Sequence, residues 1–120
     1  MADGTGDVLC AWLQEPAVST NAARSHPLLI LIHGLAGCED SDYMEASSRS
    51  FLQWGYRVLR LNLRGAGPSR SLCSLQYHAG RTVDLAHALR ALLRDHSELG
   101  RTGFLLAGFS LGGNMLLKFL

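Results

Sequence analysis

Apolar runs and amphipathic stretches alternate along this chain in a strand–helix–strand rhythm. Leu28-Leu29-Ile30-Leu31-Ile32 is an unbroken apolar run bounded by Pro27 and by His33-Gly34, the pattern of a central parallel strand covered on both faces. Before it, the residues from Asp7 to Leu13, with Val8-Leu9-Cys10-Ala11-Trp12-Leu13, read as an early strand, and Gln14 to Pro27, holding Pro16, Ser19, Asn21 and Pro27, has the composition of a loop. Asp42 followed by Glu45 resembles a capping box, and Met44, Ser47, Ser48, Phe51 and Leu52 then recur at helical spacing, which predicts a helix ending at Gly55. Tyr56 to Leu61 is a second strand. Asn62 to Gly80, with Gly65, Gly67, Pro68 and several serines, is a long loop of a kind more often functional than idle. Leu85, Ala86, Leu89, Leu92 and Leu93 mark a helix from about Arg81 to Arg94, ending near Gly100. Phe104 to Gly108 is the third parallel strand, and Met115-Leu116-Leu117 belong to a last helix.

Successive right-handed crossovers of this kind predict an α/β fold: a doubly wound, mostly parallel sheet with helices on both faces. No internal repeat or linker divides residues 1–120, so one domain is expected. Its last residues form an amphipathic helix in progress with no Gly, Asn or Pro to end it. The expectation is the N-terminal portion of a domain, truncated after that helix, whose remainder would cover the far edge of the sheet. A chain of this extent is expected to aggregate or fold loosely by itself.

Composition narrows the function. The formal net charge of +1 gives no sign of a nucleic-acid partner, and the run Leu28–Ile32 is far short of the roughly 20 residues of a spanning helix. The start, Met1-Ala2-Asp3-Gly4, lacks a basic signal region. Cys10, Cys38 and Cys73 are odd in number, with no C-x-x-C pair, so neither a disulfide framework nor a zinc site is suggested and a cytoplasmic setting is the simplest.

The chemistry lies at the third strand's end. Gly108-Phe109-Ser110-Leu111-Gly112 between an apolar strand and a helix matches the G-x-S-x-G nucleophile elbow, a turn that lifts a serine hydroxyl above a parallel sheet. Ser110 is the candidate nucleophile, and a Cβ at Gly108 or Gly112 is expected to crowd the neighbouring strand or helix. The other reading is a glycine-rich corner in which Ser110 merely caps the helix. In a parallel sheet the site lies at the carboxyl ends of the strands, where His33-Gly34-Leu35, Asn62-Leu63-Arg64-Gly65 and Ser110 converge. The serine is expected to face two amide donors in an acyl-sized hollow.

With those motifs the chain resembles the α/β-hydrolase superfamily. His33-Gly34-Leu35-Ala36-Gly37, Arg64-Gly65, Tyr77-His78-Ala79-Gly80-Arg81-Thr82-Val83-Asp84 and Gly108-Phe109-Ser110-Leu111-Gly112-Gly113-Asn114 are similar to the YheT-type subgroup of hydrolases and esterases. The resemblance implies a serine hydrolase acting on small-molecule carboxylic esters through an acyl-enzyme, without metal or cofactor. It also implies an oxyanion hole built from the backbone N–H groups of Leu35 and Leu111, shaped by His33 and Gly34. In the family the triad runs Ser, acid, His. Only Leu111 to Leu120 follow Ser110, and they contain no Asp, Glu or His, so this polypeptide alone is expected to be almost inactive. A non-catalytic α/β fragment or interaction module, and acyl transfer to an acceptor other than water, stand as alternatives.

The remaining polar residues have blander roles open to them. His33 is a shaper of the oxyanion loop, a buried histidine satisfied by backbone, or a base; His78 is a base or a structural pin of the long loop. His87 and His96 read as solvent-side, and His26 as a loop residue. Asp42, Glu45 and Asp84 at helix starts are explained by capping and the helix dipole, and Asp40 is a loop acid. Arg64 either meets a carboxylate near the site or, the preferred reading, is a surface arginine bonded to its own glycine-rich turn. Gly65 and Gly67 lack the register and lysine of a nucleotide loop.

Overall fold

The apolar run Leu28–Ile32 becomes the middle of the sheet because both of its faces are covered, and all five of its residues are buried. In the computed structural model, which describes every residue except Ala2, Ser19, Thr20 and 22–24, four strands lie in the order β1 (Ala11–Gln14), β3 (Val58–Leu61), β2 (Leu28–Ile32), β4 (Phe104–Gly108). Ser19 of the predicted 14–27 loop thus falls outside the described residues. β2 runs parallel to both neighbours, with Leu29 opposite Val58 on one side and Leu105 on the other, and β1 is antiparallel to β3.

Alternation along β2 sorts the core into two layers. Leu28, Ile30 and Ile32 pack with Leu59, Leu61, Leu85, Met115 and Leu116, drawing α2 (Val83–Asp95) and α3 (Leu111–Phe119) onto one face. Leu29 and Leu31 pack with Met44, Val58 and Phe51, which brings α1 (Asp42–Gln53) to the other. Each such side chain contributes about 1.5–3 kcal/mol on full burial. The result is the doubly wound α/β architecture, and its sheet is open: β4 is an edge strand, with Leu105 exposed. No helix among the described residues is long and apolar enough to cross a membrane.

Several features depart from the sequence pattern, among them the second strand, which begins at Val58 rather than Tyr56. β1 begins at Ala11 because the residues before it are spent on a 3₁₀ turn, Gly67–Leu72: the Val8 N–H donates to the Leu72 carbonyl at 3.1 Å and the Cys10 N–H to Ser69 Oγ at 2.8 Å. The capping box at α1 is not formed. Ser41, in extended conformation, occupies the N-cap, its Oγ accepts the Cys38 N–H at 3.0 Å, and Glu45 lies 3.7 Å from the Arg60 guanidinium. α2 starts at Val83 rather than Arg81, whose N–H first closes a turn on the His78 carbonyl.

Candidate active site

At the carboxyl end of β4 the backbone turns sharply. Ser110 has φ 49° and ψ −112°, a left-handed conformation that a residue with a side chain rarely adopts and that costs about 1–3 kcal/mol. Neighbouring bonds hold it there: the Phe109 N–H donates to the Ile32 carbonyl at 3.0 Å, the Gly112 N–H to the Phe109 carbonyl at 2.8 Å, and the Asn114 N–H to the Ser110 carbonyl at 3.0 Å. The serine hydroxyl makes no capping bond to α3, so helix capping is not what it is for.

Close approach explains the glycines. A Cβ at Gly108 would sit 2.5 Å from the backbone of Gly112 and Gly113, and one at Gly112 would sit 2.5 Å from the His33 carbonyl oxygen and 2.6 Å from that of Ile32. The corner therefore packs backbone to backbone against β2. Gly34, next on that same segment, is equally close: an added Cβ there would be 3.3 Å from Ser110 Cβ and 3.2 Å from the Phe109 carbonyl oxygen. The turn after β2 and the turn after β4 are in contact.

Ser110 is exposed rather than enclosed in a hollow. A groove of about 770 Å³ lies between β1, β3 and α2, with Leu13, Leu61 and Leu92 among its walls, and does not include Ser110.

Two backbone amides beside the serine carry no partner among the described residues. Leu111 is the first residue of α3, where helix geometry leaves an N–H unpaired. Leu35 lies in the turn after β2, whose other amides are engaged: the Gly34 N–H donates to Tyr43 Oη at 2.9 Å, the Ala36 N–H to Tyr77 Oη at 2.7 Å, and the Gly37 N–H to the Gly34 carbonyl at 3.1 Å. The Leu35 side chain is exposed.

His33 locks this turn to the next loop. Its ring is fully buried, Nε2 accepts the Leu63 N–H at 3.0 Å, and Nδ1 lies 2.7 Å from the Gly34 carbonyl oxygen. A backbone amide can only donate, so Nε2 is the unprotonated nitrogen and Nδ1–H donates to Gly34. Both nitrogens are thus occupied, which removes His33 as a base in this geometry. Burial, partly opposed by the bond to Gly34, pushes its pKa below 6.5. The unfolded chain then binds more protons than the folded one just below pH 6.5, so stability falls as pH drops. NMR titration is expected to show the His33 ring protonating at lower pH than an ordinary histidine, with the urea midpoint lower at pH 5 than at pH 7.5; a normally titrating ring would contradict the lock.

Arg64 is not a surface residue. It is fully buried, and its guanidinium is bonded to three aspartates: Nε and Nη2 to Asp84 at 2.8 and 2.7 Å, Nη1 to Asp7 at 2.7 Å and Nη2 to Asp3 at 2.6 Å. These bonds raise its already high pKa, those to Asp84 most. Asp7 also accepts from the Ser74 N–H and Oγ and the Leu75 N–H, and the Ser74 backbone bond leads in lowering its pKa to about 2. Asp84, expected merely to complement the α2 dipole, is instead the bidentate partner of a buried cation. Sequence reading misses this cluster because its members lie 20, 57 and 61 positions from Arg64.

The other histidines lie elsewhere. His78 is exposed and accepts the Gly80 N–H at 3.2 Å, closing its own turn. His87, expected at the solvent side, is half-buried, with Nδ1 lacking a partner among the described residues. His96 is exposed beside Glu98, and His26 stacks on Tyr56 at 4.4 Å. Asp40 is an exposed loop acid 4.0 Å from Arg60.

The chain is similar to known proteins. The profile described as alpha/beta hydrolase fold matches residues 27–120. The chain is 33% identical over 106 residues to the Escherichia coli protein named putative esterase YheT, covering 88% of this chain and 29% of that protein. It is 29% identical over 120 residues to human phospholipase ABHD3, covering 99% and 28%. The Pyrococcus furiosus esterase Pf2001 superimposes with a TM-score of 0.71 at 21% identity, over 92% of this chain and 40% of that one. The chain spans less than a third of the length of these curated relatives.

Proposed function

The chain belongs to the α/β-hydrolase family, and from that premise we propose that it is the nucleophile-bearing N-terminal portion of one α/β-hydrolase domain, acting on carboxylic esters. The observation that carries this reading is Ser110 itself: an exposed non-glycine residue held in a strained left-handed conformation at a strand-to-helix corner, its hydroxyl not spent on capping. Strain of that kind persists where the surrounding structure over-determines it. Here close-packed Gly108 and Gly112 do so.

In the proposed reaction Ser110 Oγ attacks the acyl carbon, and the carbonyl oxygen, now an alkoxide, takes hydrogen bonds from the N–H groups of Leu111 and Leu35. Collapse expels the alcohol and leaves an acyl-enzyme, which water hydrolyses to the acid and free serine. The base that takes the serine proton is neither His33, whose nitrogens are both engaged, nor any residue from Leu111 to Leu120. We assign it, with its orienting carboxylate, to sequence following α3 in the full-length protein, in keeping with the family order of serine, acid and histidine. Similarity to YheT at 33% identity supports placement in that subgroup. Small-molecule esters are the substrate class, and the similarity to a phospholipase makes lipid esters the first to try. The thiols of Cys10, Cys38 and Cys73 are free, which suits a reducing cytoplasm.

Active-site labelling tests the proposal. Full-length protein treated with a fluorophosphonate is expected to carry one adduct, mapped by peptide mass spectrometry to Ser110. An ester-hydrolysing protein whose adduct maps to another residue would overturn the assignment.

A further inference from the structure

Leu35 stands between two amides that end on tyrosine hydroxyls, one reaching in from each side. Tyr43, on α1, receives the Gly34 N–H, and a Cβ at Gly37 would run into that same hydroxyl. Tyr77, in the long loop before α2, receives the Ala36 N–H at 2.7 Å. We propose that Tyr77, seconded by Tyr43, is a positioning residue for ester hydrolysis: its hydroxyl holds the turn after β2 so that the Leu35 N–H stays unpaired and turned to the reacting oxygen. This rests on the reading of Ser110 as the nucleophile and goes beyond it in naming what aims the second oxyanion donor.

The turn needs such a restraint. Ala36 has φ 59°, a left-handed conformation without the freedom of glycine, and two bonds oppose its relaxation: the Gly37 N–H to the Gly34 carbonyl across the turn, and its own amide to Tyr77 from outside it. Tyr77 is itself fixed at both ends. Its N–H donates to the Arg64 carbonyl at 2.9 Å, and its ring meets His33 edge-on with centroids 5.6 Å apart. Arg64 is clamped by Asp7 and Asp84, and His33 by Leu63 and Gly34, so the hydroxyl is carried by buried, hydrogen-bonded groups rather than by a free loop. Tyr43 is anchored likewise, its ring 4.8 Å from Phe109, the residue before the serine. A donor displaced by about 1 Å forfeits much of its effect in the transition state.

Tyr77→Phe removes the hydroxyl and keeps the ring against His33. In the full-length protein it is expected to lower kcat and the rate of fluorophosphonate labelling by about 10- to 100-fold, less than the roughly 100- to 1000-fold loss on removing an oxyanion donor outright, with KM within twofold. A merely structural tyrosine would not split kcat from KM in this way. Amide hydrogen exchange gives a reading independent of catalysis: Ala36 protection should fall at least tenfold while Leu29 and Leu31 keep theirs. Equal labelling together with retained Ala36 protection overturns the proposal. If the wild-type protein takes no phosphonate, the hydrolase reading falls, and exchange at Ala36 alone still decides whether Tyr77 holds the turn. Should Tyr77→Phe fail to fold, Tyr43→Phe, read at the Gly34 amide, decides in the same manner.

Discussion

Under the proposed function, Ser110→Ala is expected to reduce kcat of the full-length protein by about 10⁶-fold, the order lost when the nucleophile of a serine hydrolase is deleted alone. KM should change little, because the hydroxyl contributes to bond making rather than to holding the ester. Stability should barely move, since alanine carries the same Cβ into the same left-handed corner. Ser110→Gly separates the two effects. It loses activity to the same extent, yet it relieves a backbone strain of about 1–3 kcal/mol, so its thermal midpoint should rise above that of Ser110→Ala. Residual activity within tenfold of wild type in either variant would remove Ser110 from the chemistry. An unchanged midpoint in Ser110→Gly would show that the corner stores no strain.

Arg64→Ala is expected to be the most destabilising single truncation in this region. Three carboxylates share one guanidinium, and two of them, Asp7 and Asp84, are only 2% exposed. Removing the cation leaves them facing each other without a counter-charge, a situation that costs about 3–5 kcal/mol for a buried pair that loses one member. Against a total stability of about 5–15 kcal/mol, that is a large share. Urea unfolding of the full-length protein measures it as a lower midpoint at unchanged slope. Arg64→Lys should recover only part of the loss, because one ammonium cannot reproduce the fork that grips both Asp84 oxygens while reaching Asp7 and Asp3. A midpoint shift worth less than about 0.5 kcal/mol in Arg64→Ala would place the arginine among ordinary surface residues.

What could be read in advance from the sequence was what depends on near neighbours. Leu28–Ile32 announces a doubly covered strand because five apolar residues in succession leave no face for water. The corner at Ser110 is legible because its glycines stand two positions away on either side and answer a local steric demand. Arg64 shows where such reading stops: a charged residue followed by Gly65 in a serine-rich stretch has the look of a surface turn, and only folding brings Asp3 and Asp7 to it from the start of the chain. The turn after β2 is similar. Its geometry depends on the hydroxyls of Tyr43 and Tyr77, 9 and 41 positions from the amides they receive, and neither distance leaves a periodic trace. β1 started late for the same reason, since Val8 and Cys10 answer to Leu72 and Ser69 rather than to a strand partner.

The long sequence separation between Asp3, Asp7 and their partners has a consequence for how the protein is made. Asp3 and Asp7 close on Arg64, and Arg64 in turn needs Asp84. At about 5–20 residues per second on the ribosome, Asp3 and Asp7 are made on the order of ten seconds before the residue that completes their charge cluster. An affinity handle fused directly ahead of Asp3 would sit on this late-closing clasp, and a spacer of several glycines and serines is the sensible remedy.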